Sequence, residues 1–295
     1  MQISYVPKRF AATSLAVIEA ARLIIAEYRA EGFTLTLRQL YYQFVARDLL
    51  ANRQSEYKRL GTIVSDARNA GLIDWETIED RTRNVRENSH WGSPAELLAA
   101  CADQFRFDLW EDQPYRPEVW IEKDALLGVF EGICEELDVP LTSCRGYTSQ
   151  SEAWAAGRRL RKHGQHGQTP IILHFSDHDP SGIDMTRDLA ERLSLYAERE
   201  VSVDRLALNR AQIEQYEPPP NPAKVTDSRY AAYLLVHGDE SWELDALEPR
   251  ILTDLVRTAI ERLQEPKAWD SMLRLQDAAR RRLRKLSQTW EDGAG

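Results

Sequence analysis

The chain is short of several things that would narrow its class at once. It has three cysteines in 295 residues, Cys101, Cys134 and Cys144. None forms a C-x-x-C pair, which excludes a disulfide scaffold and argues against a zinc knuckle. They read as reduced thiols. No apolar run approaches the length needed to span a membrane, and the first residues, MQISYVPKRF, lack a signal-peptide apolar core. There is no internal repeat and no low-complexity tract beyond Pro218–Pro220. An excess of basic residues is missing too. The formal net charge is −9, which taken alone argues against a basic DNA coat or a polybasic membrane binder. The deficit is uneven. Residues 1–110 carry 14 basic and 14 acidic side chains, so all the net acidity lies beyond them. The length suggests about two domains, divided here as 1–110 and 111–295.

The first part is helical by periodicity. Leu15, Ile18, Ala21, Ile25 and Tyr28 mark one face of a helix over Ser14–Arg29. Thr36 is the expected N-cap of a second helix, with Leu37, Leu40, Tyr41 and Phe44 as its stripe. A third runs over Ser55–Ala70 and stops at Gly71, with Tyr57, Leu60, Val64 and Ala67 inward. Lys58, Arg59, Arg68 and Asn69 lie on its outer face. Ile73, Trp75 and Thr77 alternate as in a short strand or wing, followed by Arg81, Arg83 and Arg86. Three helices and a basic hairpin fit a winged helix-turn-helix facing duplex DNA. A plain three-helix bundle with a charged face fits the same pattern. Tyr42 lies off the apolar stripe, one turn after Arg38. A guanidinium there favours a phenolate and can hold a phosphate, so Tyr42 is a candidate nucleophile; an ordinary half-exposed tyrosine is the alternative.

The second part reads as α/β. Trp110–Arg116 looks like a linker. Val119–Ile121 forms a strand ending in Glu122-Lys123, and a helix follows over Ala125–Leu137. Leu141 begins another strand, Ser151–Lys162 is helical, Pro170–Phe175 is a strand, and Ile183–Glu198 is a helix. This alternation implies a mostly parallel sheet flanked by helices. Chemistry in such sheets sits at the carboxyl ends of strands. Glu122, Asp177 and Asp179 fall there. Carboxylates gathered at a sheet edge need a cation, and an oxygen-only set suits Mg²⁺. Two solvated loop aspartates, or an aspartate capping the next helix, are the bland alternatives. His178 reads as a phosphate contact or a solvated loop histidine. Arg280, Arg281, Arg282, Arg284 and Lys285 make a basic helix end that could follow a DNA backbone or stay solvated.

Glu122-Lys123 after one strand and D-x-D-P-x-G after a later one resemble the Toprim domain. VWIEKDAL and SDHDPSGIDM are similar to the A subunit of topoisomerase VI and its meiotic double-strand-break relative. TLRQLYYQF resembles that family's R-x-x-Y-Y motif, and the segment WELDAL resembles its E-L-x-A-L. The resemblance implies an N-terminal winged-helix domain followed by a Toprim domain. It implies Tyr42 as nucleophile, Arg38 as its supporting arginine, Lys123 as a basic neighbour, and Glu122, Asp177 and Asp179 as Mg²⁺ ligands. The implied reaction is transesterification on double-stranded DNA that leaves a 5′-phosphotyrosyl link, performed by a homodimer in a prokaryotic cytoplasm or nucleoid. Metal-dependent hydrolysis by a Toprim nuclease is the alternative enzyme; a DNA-binding module with a degenerate Toprim domain is the non-enzymatic one. Family A subunits carry an N-terminal extension that docks an ATPase. Here the first helix begins near Ser14, and no G-x-x-x-x-G-K-[ST] loop occurs. The chain looks most like the small Mini-A relatives, for which cleavage is the expectation and an ATPase partner stays open.

Overall fold

The computed structural model describes residues 2–78 and 88–292. Helix α1 (Ala12–Ala30) buries Ile18, Ala21, Ile24, Ile25 and Tyr28. Leu15, expected on that face, is instead exposed. Helix α2 (Leu37–Ala46) opens with a reciprocal cap: Thr36 accepts from the Gln39 amide, and the Gln39 side chain accepts from the Thr36 amide. This satisfies two of the amides a helix start leaves unpaired. Helix α3 (Gln54–Asn69) buries Leu60, Ile63, Val64 and Ala67. It is followed by Gly71 at φ +75°, where a Cβ would press on the Ser4 backbone. The three helices share one apolar core with Leu35, Ile73 and Ile78.

The segment expected to alternate as a strand does not. Trp75–Thr77 is a single 3₁₀ turn, capped by Asp74 accepting from the Glu76 amide. Capping chemistry within the segment prevails over its apolar alternation. Ile78 then forms one parallel bridge with Leu35. The rest of the expected wing, with Arg81, Arg83 and Arg86, lies outside the described residues.

The second part centres on a four-stranded, all-parallel sheet: β1 (Tyr115–Ile121), β2 (Leu141–Ser143), β3 (Thr169–Phe175) and β4 (Ser202–Ala207), in the order β2-β1-β3-β4. Helix α5 (Leu127–Glu136), entered through a 3₁₀ turn at Asp124–Leu126, connects β1 to β2. Helix α6 (Gln150–Gln165) connects β2 to β3, and α7 (Pro180–Ala197) connects β3 to β4. Both faces are covered, as a parallel sheet requires. Val119 and Ile121 face the core under α5, while Trp120 and Ile172 face the one formed with α6 and α7. Glu118, 1% exposed on the α6 face, takes both arms of Arg159 at 2.8 Å and the Trp120 indole N–H at 3.0 Å.

Beyond the sheet come α8 (Arg210–Tyr216), a two-residue β5 (Asn221–Pro222), α9 (Tyr230–His237) and β6 (Glu240–Ser241), which pairs antiparallel with β5. A 3₁₀ turn at Leu244–Ala246 precedes α10 (Pro249–Glu261), which lies on α5. The long α11 (Pro266–Asp292) packs along α4 (Pro94–Gln104). Ser287 donates to the Ala95 carbonyl and Arg280 to that of Phe105. Arg284 pairs with Asp103, and Arg281, Arg282 and Lys285 are exposed. The stretch read as a linker is part of the core: Trp110 is fully buried, and its indole N–H donates to the Leu137 carbonyl. The acidic and proline residues around it obscured that anchor. None of the described helices is long and apolar enough to cross a membrane.

Candidate active site

Strands β1 and β3 end level, with Ile121 opposite Phe175. The next residues of each chain therefore meet. The Glu122 amide donates to the Phe175 carbonyl (2.9 Å), and the Asp177 amide donates to Glu122 Oε2 (2.9 Å). Asp179 is the N-cap of α7; its Oδ1 accepts from the Gly182 amide (2.6 Å) and the Ser181 hydroxyl (2.8 Å). The turn closes only because residue 182 is glycine. A Cβ there would stand 2.1 Å from the Asp177 carbonyl oxygen.

Under this loop lies Arg205, from β4. Its guanidinium donates to the carbonyls of Asp177 (2.6 Å), Gly182 (2.8 Å), Ser176 and Leu208, and to the hydroxyls of Ser176 and Thr186. Burial lowers its pKa to about 10, against the pull of Glu122, Asp177 and Asp179. Sequence reading missed Arg205. The available signal was an arginine in the middle of a strand-forming run, SVDRLA.

The Asp177 side chain turns toward a second set of charges. Its Oδ1 accepts from the Leu244 amide (2.8 Å), and its Oδ2 meets Lys123 Nζ at 2.7 Å. The same ammonium lies 3.0 Å from Glu243 Oε2 and 3.2 Å from Asp245 Oδ1. Arg38 reaches these two carboxylates from α2. Its Nη2 bonds Glu243 Oε2, and its Nε lies 2.8 Å from Asp245 Oδ2. Tyr42 stands beside them, 4% exposed, with the Arg38 guanidinium 5.9 Å from its ring centre. Arg38, Tyr42, Arg53 and Glu243 border a cleft of about 280 Å³ that Asn221 and Pro222 close on the far side.

The electrostatics follow from this packing. Burial opposes the charge of Lys123, but Asp245, Asp177 and Glu243 outweigh it and hold the ammonium well above its usual pKa. Burial likewise opposes ionisation of Glu243, yet Lys123 and Arg38 bring it down to about 2. Asp177 is pushed up to about 7 by burial, with Glu122 and Asp245 adding to it and Lys123 opposing. Glu122 is raised by burial and by Asp179, against the Asp177 amide and Lys123. Tyr42 is raised by burial, then by Asp245 and Glu243, which together outweigh Arg38 and Lys123. The expectation that Arg38 favours a phenolate is therefore reversed in this arrangement. The carboxylates that neutralise the arginine also face the phenol.

The donor chemistry around Glu122 fits a hard cation. Among the described residues, the second oxygens of Glu122 and Asp179 accept no hydrogen bond, and the set contains no sulfur or imidazole. Two carboxylates plus waters and a phosphate are ordinary Mg²⁺ ligation. Asp177, as placed, serves Lys123 and the Leu244 amide. No group of three metal-ligating side chains is arranged around one point among the described residues.

The remaining sequence candidates divide. Lys58 and Arg59 are exposed on α3, where Arg59 also pairs with Glu56. Arg68 is not free on that face: it stacks 4.6 Å over the Trp75 indole and donates to the Trp75 carbonyl (2.5 Å). Arg81 and Arg83 lie outside the described residues. His178 is neither solvated nor placed as a phosphate contact. It is buried, with Nδ1 2.9 Å from the Tyr233 hydroxyl, and its backbone bridges to Trp242. Burial, with His237 adding, lowers its pKa to about 4, so it is neutral near pH 7. Glu243 and Asp245 lie in the WELDAL segment, whose sequence gives no sign that they pair with Arg38 and Lys123. No protein-family model matches the chain, and no curated protein matches it.

Proposed function

We propose that the chain is a DNA-cleaving tyrosine transesterase, similar to the A subunit of topoisomerase VI and to its small Mini-A relatives. On this reading α1–α3 belong to a winged-helix unit and the parallel sheet to a Toprim unit. One observation carries the reading. Arg38 and Tyr42 of α2, Glu122-Lys123 after β1, and Asp177 and Asp179 after β3 are far apart in sequence, yet they form one connected polar site. Neither a charged helix face nor a lone D-x-D loop requires that convergence.

In the proposed reaction Tyr42 Oη bonds to a backbone phosphorus and the bond from phosphorus to O3′ breaks. The phenolic proton ends, in net terms, on the released 3′ hydroxyl. Mg²⁺ held by Glu122 and Asp179 would supply positive charge at the phosphate. Arg38 is suited to hold a non-bridging oxygen beside Tyr42, since its planar fork matches phosphate geometry. The proposed enzyme is a homodimer acting on duplex DNA in a prokaryotic cytoplasm or nucleoid, with cleavage independent of ATP. Strand passage with an ATPase partner is a separate question that cleavage does not require.

The burial of Tyr42 favours a second reading, hydrolysis by metal-activated water with Tyr42 as a packing residue. One experiment separates the two. Supercoiled DNA is incubated with the protein and Mg²⁺, denatured with detergent, and probed for protein bound to 5′ ends. The transesterase gives a covalent adduct that Tyr42→Phe abolishes and Glu122→Ala strongly reduces. Protein-free ends, made equally well by Tyr42→Phe, would establish hydrolysis instead.

A further inference from the structure

The charged cluster between α2 and the 244–246 turn has a feature the cleavage reading does not use. Arg38, a cation beside Tyr42 that borders the cleft with Arg53, is already occupied by two carboxylates of its own chain. A carboxylate and a phosphodiester present the same thing to a guanidinium, a pair of oxygens carrying one negative charge. The Arg38 side chain is 42% exposed, so the fork is open to the cleft on one side and closed by Glu243 and Asp245 on the other. The two carboxylates differ in how firmly they are fixed. Asp245 is almost wholly buried, whereas Glu243 is about a quarter exposed and lines the cleft itself. Lys123 keeps Asp177 and Asp245 as partners if Glu243 leaves.

We propose that Glu243 is an internal stand-in for the DNA phosphate: it fills the Arg38 fork in the unliganded chain, and a backbone phosphodiester entering the cleft displaces it. The inference rests on the DNA reading above and says what holds the Arg38 fork before DNA arrives. While Glu243 sits on Arg38, the place beside Tyr42 that a phosphate would take is filled by a carboxylate of the chain itself. Exchange of Glu243 for substrate frees that carboxylate and places the phosphate beside Tyr42 in the same event.

Binding without cleavage tests this. In a Tyr42→Phe background, affinity for a short duplex is measured by fluorescence anisotropy over a range of salt concentrations. Adding Glu243→Gln should tighten binding about tenfold. It should also steepen the log–log salt slope by up to about 0.9, because binding then frees no carboxylate that takes a counterion back. Adding Arg38→Ala to that protein should erase both gains. If affinity and slope ignore Glu243→Gln, or if the gain survives Arg38→Ala, the stand-in is refuted; the latter result marks a general charge effect. No binding by any of these proteins at low salt would instead refute the DNA reading beneath it. Should Glu243→Gln fail to fold, the wild-type chain answers the question by hydrogen exchange. Residues 243–247 should exchange faster with duplex present, and unchanged or slower exchange overturns the proposal.

Discussion

Gly182→Ala is the sharpest test of how the D-x-D loop is built. The added Cβ would sit 2.1 Å from the Asp177 carbonyl oxygen and 3.0 Å from its carbon. Both are backbone atoms, so no side chain can swing aside. Relief requires the start of α7 to move from the loop by about 1.4 Å, since non-bonded atoms settle at roughly 3.5 Å. That shift pulls on the Asp179 cap at 2.6 Å and on the Arg205 contacts with the Asp177 and Gly182 carbonyls at 2.6 and 2.8 Å. Overpacking costs about 1–3 kcal/mol, and a lost cap about 1 kcal/mol more. A total near 2–4 kcal/mol lowers the melting temperature by roughly 4–16 °C for a chain of this class. Scanning calorimetry of the two proteins without metal measures it. A variant melting within about 2 °C of the parent, the scale of an ordinary surface change, would refute the close approach and with it the placement of Asp179.

Two further outcomes follow from the buried charges. Asp177 has a folded-state pKa raised above its unfolded value, so the folded protein binds the proton more tightly. Its contribution to stability is full below about pH 4 and is lost as pH rises toward about 7. The gain in urea stability of Asp177→Asn over wild type, both metal-free, should therefore shrink as pH falls from 7 to 5; a gain that grows on acidification contradicts the assignment. Arg159→Ala leaves Glu118 buried without its cation and should cost about 3–5 kcal/mol in urea unfolding, with Arg159→Ala/Glu118→Gln recovering part of it. Equal losses in the single and double variants would mean the pair is not coupled.

The helices and strands were largely legible because each writes its own period. Ile18, Ala21, Ile25 and Tyr28 repeat at helical spacing, and Val119-Trp120-Ile121 is apolar on both faces because both faces are covered. Asp179 was legible as the cap of the helix after β3: its Oδ1 takes the Gly182 amide. What escaped lies between elements. Periodicity reports neighbours within one helix, so it placed Tyr42 off the stripe of α2 but could not show the Leu244–Ala246 turn, some 200 residues onward, burying it. The same blindness hid Glu243 and Asp245 as partners of Arg38. Trp110 and His178 sit among polar neighbours in sequence, which hides their burial in space. Arg68 shows the limit on a charged helix face: whether an arginine reads DNA or stacks on Trp75 depends on where the chain goes after the helix ends.

The α4–α11 pair sets a timetable for the chain. Helix α4 begins at Pro94, and the helix it lies on starts at Pro266. A ribosome adding about 5–20 residues per second makes the two some ten seconds or more apart. In that interval the three N-terminal helices can close their own core, while Ala95 and Ala102, buried only in the finished protein, wait exposed. Helix α4 therefore waits for its partner while the sheet strands between them are being made. Loss of residues 266–292 should strand α4 without a partner and act on a region nearly two hundred residues upstream.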